Sequence, residues 1–271
     1  MKFTYYTIIG KDLNLFKGHV ENIKKYAGFD QLQADKEFIA IVYTNKNIPQ
    51  QVTDSILQYC KEQEITPILY PEPHNIFISN LYACWNLGYQ SASDGYVFRA
   101  GSDQVFSRDS ILAIYNKAEE LRLANPKKRV ILQANTIENS ERIAAIGAQS
   151  RHFCEQFGNN FDEFDFKSFE SFIERINEKA PELLSIKQAL EIWGHPTSMD
   201  TTLGRINRTD GCSWLMTKKD FHEYGPLPIF ESGLTGDVVI HDRFQRAGYF
   251  NYIVRDCVTY HFVRGESMHV Y

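Results

Sequence analysis

The chain has 271 residues, 43% of them hydrophobic and 14% aromatic, which is ample for one large α/β domain or a domain with an appendage. A net charge of -5 with scattered Lys and Arg argues against general nucleic-acid affinity, and no apolar run approaches transmembrane length. The five cysteines (Cys60, Cys84, Cys154, Cys212, Cys257) are far apart and form no Cys-x-x-Cys pair. That pattern, with a strand-like start in place of a signal peptide, leads us to expect reduced thiols and a cytoplasmic setting, compatible with peripheral attachment to a membrane.

The first hundred residues alternate between two periodicities. Phe3–Gly10 reads as a β-rich strand ended by glycine, and Asp12–Tyr26 as a helix with Leu13, Phe16, Val20 and Ile23 on one face. Glu37–Thr44 predicts a second strand, Pro49–Glu64 a second helix, Ile65–Tyr70 a third strand and Ile76–Gln90 a third helix. Strands alternating with helices imply a parallel sheet with right-handed crossovers. The usual phosphate signatures are missing: no G-x-G-x-x-G follows the first strand, and no G-x-x-x-x-G-K-[ST] occurs. That counts against a dehydrogenase or a P-loop enzyme.

The segment GYVFRAGSDQVFS (Gly95–Ser107) carries the strongest local signal. Tyr96, Val97 and Phe98 suit a buried strand, and Gly101, Ser102 and Asp103 form a small acidic turn at its carboxyl end. In open α/β sheets ligands collect at that end, so the turn can hold a metal and, through it, a diphosphate. It can equally be an Asx-type turn capping the helix that begins near Asp109.

A helix over Ser110–Ala124 and a strand over Val130–Ala134 follow, with the basic cluster Pro126–Arg129 solvating the helix end. Residues 138–192 read as mainly helical, and Phe161, Phe164, Phe169, Phe172 and Ile173 form a stripe that either packs on the sheet or lines a groove. Gly211–Pro228 reads as a strand and a short helix ended by Gly225-Pro226. A helix begins at Thr235 and Gly236 and ends at Gly248, placing Asp237 in its first turn. There the helix dipole keeps the carboxylate ionised, which suits a general base and equally suits simple dipole compensation.

At this point the order of motifs resembles the family 2 and related nucleotide-sugar glycosyltransferases of the GT-A fold. ACWNLGYQSASDGYVFRAGSDQVF is similar to that family's A-R-N-x-G to D-x-D run. GCSWLMTKKDFHEYGPLP with GDVVIHDRFQRAGY resembles its later acceptor-side run, and HFVRGES its H-x-x-x-x-S tail. The resemblance implies an α/β GT-A fold with a mostly parallel central sheet flanked by helices. It also implies one domain over residues 1–271: a nucleotide-sugar-binding half (1–110), a helical insert (138–195) and an acceptor/catalytic half (205–271).

The roles it implies are specific. Asp237 would be the catalytic base of an inverting transfer to a hydroxyl acceptor. Asp103 and His261 would hold a divalent cation, Mn²⁺ or Mg²⁺. Ile8, Gly10, Asn45, Asn86, Arg99, Ser102 and Asp103 would line the donor, with Gly88 beside Asn86. Gly211 and Trp214 would lie on the acceptor side. Partners would be a nucleotide-sugar donor and a glycan, lipid-linked or protein acceptor.

The chain also departs from that pattern. Gln104 follows Asp103 where many members have another acid, Trp85 stands where an Arg often precedes the Asn, and Gly236 replaces the first acid of an E-D pair. One carboxylate should bind a hard cation more weakly. Arg99 is then either a phosphate partner or a strand-edge charge paired with Asp94 or another acid. His261 is either a ligand or a satisfied core histidine, and Trp214 either a sugar-stacking or a buried ring. His195 sits in a Pro-containing turn. Two other functional readings stay open: a non-catalytic nucleotide-sugar or glycan-binding module, and a sugar-phosphate nucleotidyltransferase, which should carry a Gly-rich basic loop after the first strand that IIGKDLN (Ile8–Asn14) matches poorly.

Overall fold

The computed structural model of the chain describes residues 1–72, 77–139, 154–193, 213–227 and 243–262. Strand β1 (Phe3–Ile9) is central because its aromatic and β-branched side chains are apolar toward both faces. It pairs in parallel with β2 (Lys36–Thr44) on one side and β4 (Tyr96–Gly101) on the other. Beyond β2 lies β3 (Thr66–Pro71), whose Pro67 and Pro71 an edge strand tolerates. The connecting helices are α1 (Leu13–Glu21), α2 (Gln50–Glu62) and α3 (Phe77–Ser91). The Asp12 carboxylate caps α1 by accepting from the Leu15 amide at 2.9 Å, and a π-helical turn (Asn22–Tyr26) continues it.

The second half of the chain completes the sheet. Its elements are β5 (Gln104–Phe106), α4 (Ser110–Ala124), β6 (Val130–Asn139), β7 (Cys154–Glu155), α5 (Phe166–Asn177), β8 (Leu183–Ser185) and α6 (Ile186–Trp193). Then come β9 (Trp214–Thr217), α7 (Lys218–Tyr224) and β10 (Phe250–His261). The strand order is β3-β2-β1-β4-β9-β6-β10-β5, with β7 paired to β6 and β8 to β10. β6 and β10 run parallel to each other, whereas β9 is antiparallel to both β4 and β6. The result is an α/β domain with a mostly parallel sheet, as the alternating periodicities predict.

Among the described residues, three apolar clusters flank the sheet. Phe3, Tyr5, Phe98 and Leu132 face α1, α2 and α4. On the other face Tyr6, Val97, Trp214 and Ile131 meet α3 and α7, where the rings of Tyr89 and Phe221 stack 3.8 Å apart. Gly88 on α3 permits that packing, because a Cβ there would lie 2.3 Å from the Tyr6 ring. The third cluster joins Phe164, Phe169, Phe172 and Ile173 to Ile137 and Tyr260. The aromatic stripe is therefore core, not an open groove.

Some elements differ from the sequence reading. The insert is not wholly helical, since β7 and β8 join the sheet with two and three residues. Segments that short carry no readable periodicity. β6 runs five residues past Ala134, and β10 carries an irregular register between Val254 and Val258 that breaks its alternation at Arg255 and Asp256. The thiols of Cys60, Cys84 and Cys257 are free and buried, and burial pushes Cys60 up to about 12.

Phe169→Ala should cost about 3–5 kcal/mol in urea unfolding, whereas Phe250→Ala, on a side chain left 54% exposed, should stay within about 0.5 kcal/mol.

Candidate active site

β4 delivers the acidic turn to the carboxyl edge of the sheet, where Gly101 stands opposite Ile8 of β1. Gly101 has a steric task. A Cβ there would lie 2.5 Å from Asp103 Oδ1, so a larger residue would push the carboxylate away. Asp103 is 2% exposed and its Oδ2 lies 3.1 Å from Nε2 of His261, itself 4% exposed. The Phe262 amide donates to the Asp103 carbonyl at 3.0 Å, so the backbone of β10 also holds the turn.

Gln104, in place of a second acid, folds inward. Its Oε1 accepts from the Gly101 amide and from Ser213 Oγ, both at 2.9 Å. The turn is thus closed by its own side chain and tied to the start of β9. The outer edge of β5 is closed by α1 and its π-helical extension. His19 Nδ1 donates to the Gln104 carbonyl at 3.0 Å, which only accepts, so the neutral ring takes the Nδ1–H tautomer. Its Nε2 then accepts from the Tyr5 hydroxyl at 2.8 Å. Asn22 brackets Phe106, donating to its carbonyl at 3.0 Å and accepting from its amide at 2.8 Å. Burial lowers the His19 pKa to about 4, outweighing the carbonyl and the nearby Asp103 charge.

The remaining candidates separate. Arg99, 1% exposed, lies between two indoles, its guanidinium carbon 3.8 Å from the Trp85 ring centre and 4.0 Å from that of Trp214. Trp214 is wholly buried. Trp85, in the position expected for an arginine, is thus one wall of a cage around an arginine supplied by β4. Asn86 spends its amide on Leu227, donating to the carbonyl at 2.9 Å and accepting from the amide at 2.8 Å. Asn45 closes an Asx turn after β2 by accepting from the Asn47 amide at 2.8 Å. Ile8 is half-buried near the carboxyl end of β1, Gly10 follows that strand directly, and Ser102 is buried within the acidic turn. Asp237 and Gly211, with Gly236, Asp242 and His195, lie outside the described residues.

Asp103 and His261 are joined by a direct, buried side-chain hydrogen bond, and their two contacting atoms are of types that can also ligate a divalent cation. Ligand atoms at right angles, each about 2.1 Å from an octahedral cation, sit about 3 Å apart, close to the observed separation. An imidazole beside a carboxylate also suits Mn²⁺ chemically. Among the described residues, no group of three or more His, Cys, Asp and Glu converges on one point.

No protein-family model matches the sequence, and no curated protein matches it. Solved structures do match its fold. GalNAc-T7, solved with UDP, GalNAc and Mn²⁺, superposes with a TM-score of 0.59 at 11% identity over 98% of this chain and 44% of that one. The chain has the GT-A glycosyltransferase fold. S. aureus TarS residues 1–349 give a TM-score of 0.54 at 10% identity, covering 97% of this chain and 60% of that one. A second TarS structure gives 0.54 at 11% identity, covering 99% and 38%. The chain spans less than two thirds of the length of each of these structures. No helix among the described residues is long and apolar enough to cross a membrane.

Sequence reasoning passed over His19, Asn22 and the inward role of Gln104. A signal was available for the first two. Both lie within the stripe of Phe16, Val20 and Ile23, and a polar side chain on a buried helix face needs a partner.

The His19 pKa carries a sign. Between the unfolded value near 6.5 and the folded value near 4, the unfolded chain binds the extra proton. Stability is therefore complete above pH 6.5 and falls as pH drops toward 4, by roughly 3 kcal/mol from this residue. Unfolding free energies measured from pH 7 to 4 should show that slope, and an NMR titration should find one imidazole that stays neutral through pH 5.

Proposed function

We propose that the chain transfers a glycosyl group from a nucleoside diphosphate sugar to a hydroxyl acceptor. The observation that carries this reading is the buried Asp103–His261 pair at the carboxyl edge of a GT-A sheet. Asp103 and His261 would hold a divalent cation, which when bound supplies positive charge to the donor diphosphate. The GalNAc-T7 structure, solved with UDP and Mn²⁺, supports a divalent cation as a donor partner on this fold. The caged Arg99 adds a fixed positive charge on β4, the strand that leads into the acidic turn. The loop after β1 (Ile8, Gly10) and the turn at Asn45 would border the nucleotide.

Asp237 would act as base in an inverting displacement. Its carboxylate takes the acceptor hydroxyl proton as that oxygen bonds to the anomeric carbon, and the sugar–phosphate bond breaks with its electron pair on the leaving diphosphate. Acceptors of this kind include a glycan, a lipid-linked sugar or a protein hydroxyl.

A second reading has one observation in its favour. The side-chain oxygen of Gln104 is consumed within the turn, so one carboxylate is left where many relatives in fold have two. A nucleotide-sugar-binding module without turnover needs no more than that.

Thermal-shift measurements with UDP, GDP, CDP and dTDP sugars, each with Mn²⁺, Mg²⁺ or EDTA, test the donor site. We expect one base to stabilise the protein in a metal-dependent way, and Asp103→Ala and His261→Ala to abolish the metal dependence. Donor hydrolysis or transfer in the wild type, reduced by about 100-fold or more in Asp237→Asn with the fold intact, would establish the transferase. Binding without any turnover would establish the module. No response to any nucleotide would remove both readings.

A further inference from the structure

The sheet face shared by Arg99 and Trp214 continues onto β6, where its chemistry changes. Gln133 stands opposite Trp214 on one side and Ile253 on the other, so it extends the row Tyr6–Arg99–Trp214 across the sheet. Asn135 projects from the same face of β6, two residues nearer the carboxyl end. That is the level at which β4 enters the acidic turn, since Gly101 is likewise two residues beyond Arg99.

The two residues are 2% and 1% exposed. They stand between two apolar clusters on this face: Ile131 and Trp214 lie in one, while Ile137, Ile253 and Val258 lie in the other. The amides therefore mark the seam between the α3/α7 side of the domain and the insert side. Gln133 Nε2 and both polar atoms of Asn135 are buried without a hydrogen-bond partner among the described residues. Buried carboxamides left open in this way are uncommon, because water was given up and nothing was gained in return. Two of them on one strand face, at the level of the root of the acidic turn and across β9 from it, make a buried polar patch with unmet hydrogen-bonding capacity.

We infer that Gln133 and Asn135 are specificity-determining residues that read the ring hydroxyls of the donor glycosyl group. A carboxamide presents both a donor and an acceptor, as a hydroxyl does, and carries no charge. Such a pair suits a neutral hexose or N-acetylhexosamine rather than an anionic sugar. This rests on the glycosyltransferase reading, and it assigns that site a sugar class and two residues that the family resemblance did not mark.

The test compares donors that share a base and differ at one ring position, such as UDP-glucose with UDP-galactose and with UDP-glucuronate, alongside bare UDP. The series uses whichever base the wild type binds, with dissociation constants from calorimetry. In the wild type we expect neutral sugars to be separated by about tenfold or more, with the uronate weakest. Gln133→Leu and Asn135→Leu should compress that separation to about threefold or less. Both should keep the affinity for the bare nucleotide and a melting temperature equal to or above that of the wild type, since an apolar isostere removes an unsatisfied group. Gln133→Met and Asn135→Ser carry the same comparison if a leucine does not fit.

Wild-type discrimination that persists in the variants overturns the inference and leaves the glycosyltransferase reading standing. So does a wild type that binds every sugar of its base equally, or variants that lose the bare nucleotide together with their stability. A wild type that binds no nucleotide at all overturns both.

Discussion

The site depends on how one short edge strand is held. β5 has three residues and pairs with β10 on one side only, so its other edge would expose backbone groups in a buried place. His19 and Asn22 act there as a surrogate strand, supplying three hydrogen bonds to Gln104 and Phe106. Without them the open edge would either admit water or leave the backbone unsatisfied. Asp103 directly precedes this strand, and its position relative to His261 follows from that clamp. The Tyr5 hydroxyl orients His19 in turn, and burial keeps the phenol protonated, so the central strand reaches the turn through two side chains.

The departures from the family pattern share a physical theme. Gln104, standing where many members of the resembled family have a second acid, ties the turn internally through its side-chain oxygen. Trp85 replaces one cation with a wall for another, since Arg99 fills the space between the two indoles. Stacking lets a guanidinium be buried while its edge remains able to donate. Asn86 holds the chain after α7 through a two-way hydrogen bond with Leu227.

The fold was legible to a large degree. The elements of the first half follow from alternating periods of two and 3.6, and α4 from a plain helical run at Ser110–Ala124. The second half was less so. β10 has Arg255 and Asp256 at an irregularity that breaks its alternation, while β7 and β8 are too short to show any. Their strand state comes from partners far away in the chain, which local patterning does not contain. At the site, Asp103 and His261 were marked by motif order, yet 158 residues separate them and only the sheet brings them within 3.1 Å.

The sequence by itself determined the class of the domain, the acidic turn after a buried strand and the reduction of that turn to a single carboxylate. These are local properties of residue type and spacing. Tertiary structure alone decided which polar side chains are spent and which remain open. Gln104 and Asn86 look as available as Gln133 and Asn135 in the sequence, but Gln104 Oε1 meets the Gly101 amide within its own turn and Ser213 Oγ before β9, and Asn86 meets the Leu227 backbone far along the chain. Gln133 Nε2 and both polar atoms of Asn135 are buried with no partner among the described residues. The reason is geometric: a hydrogen bond needs its partner at about 3 Å in a fixed direction, and only the packed sheet sets that distance.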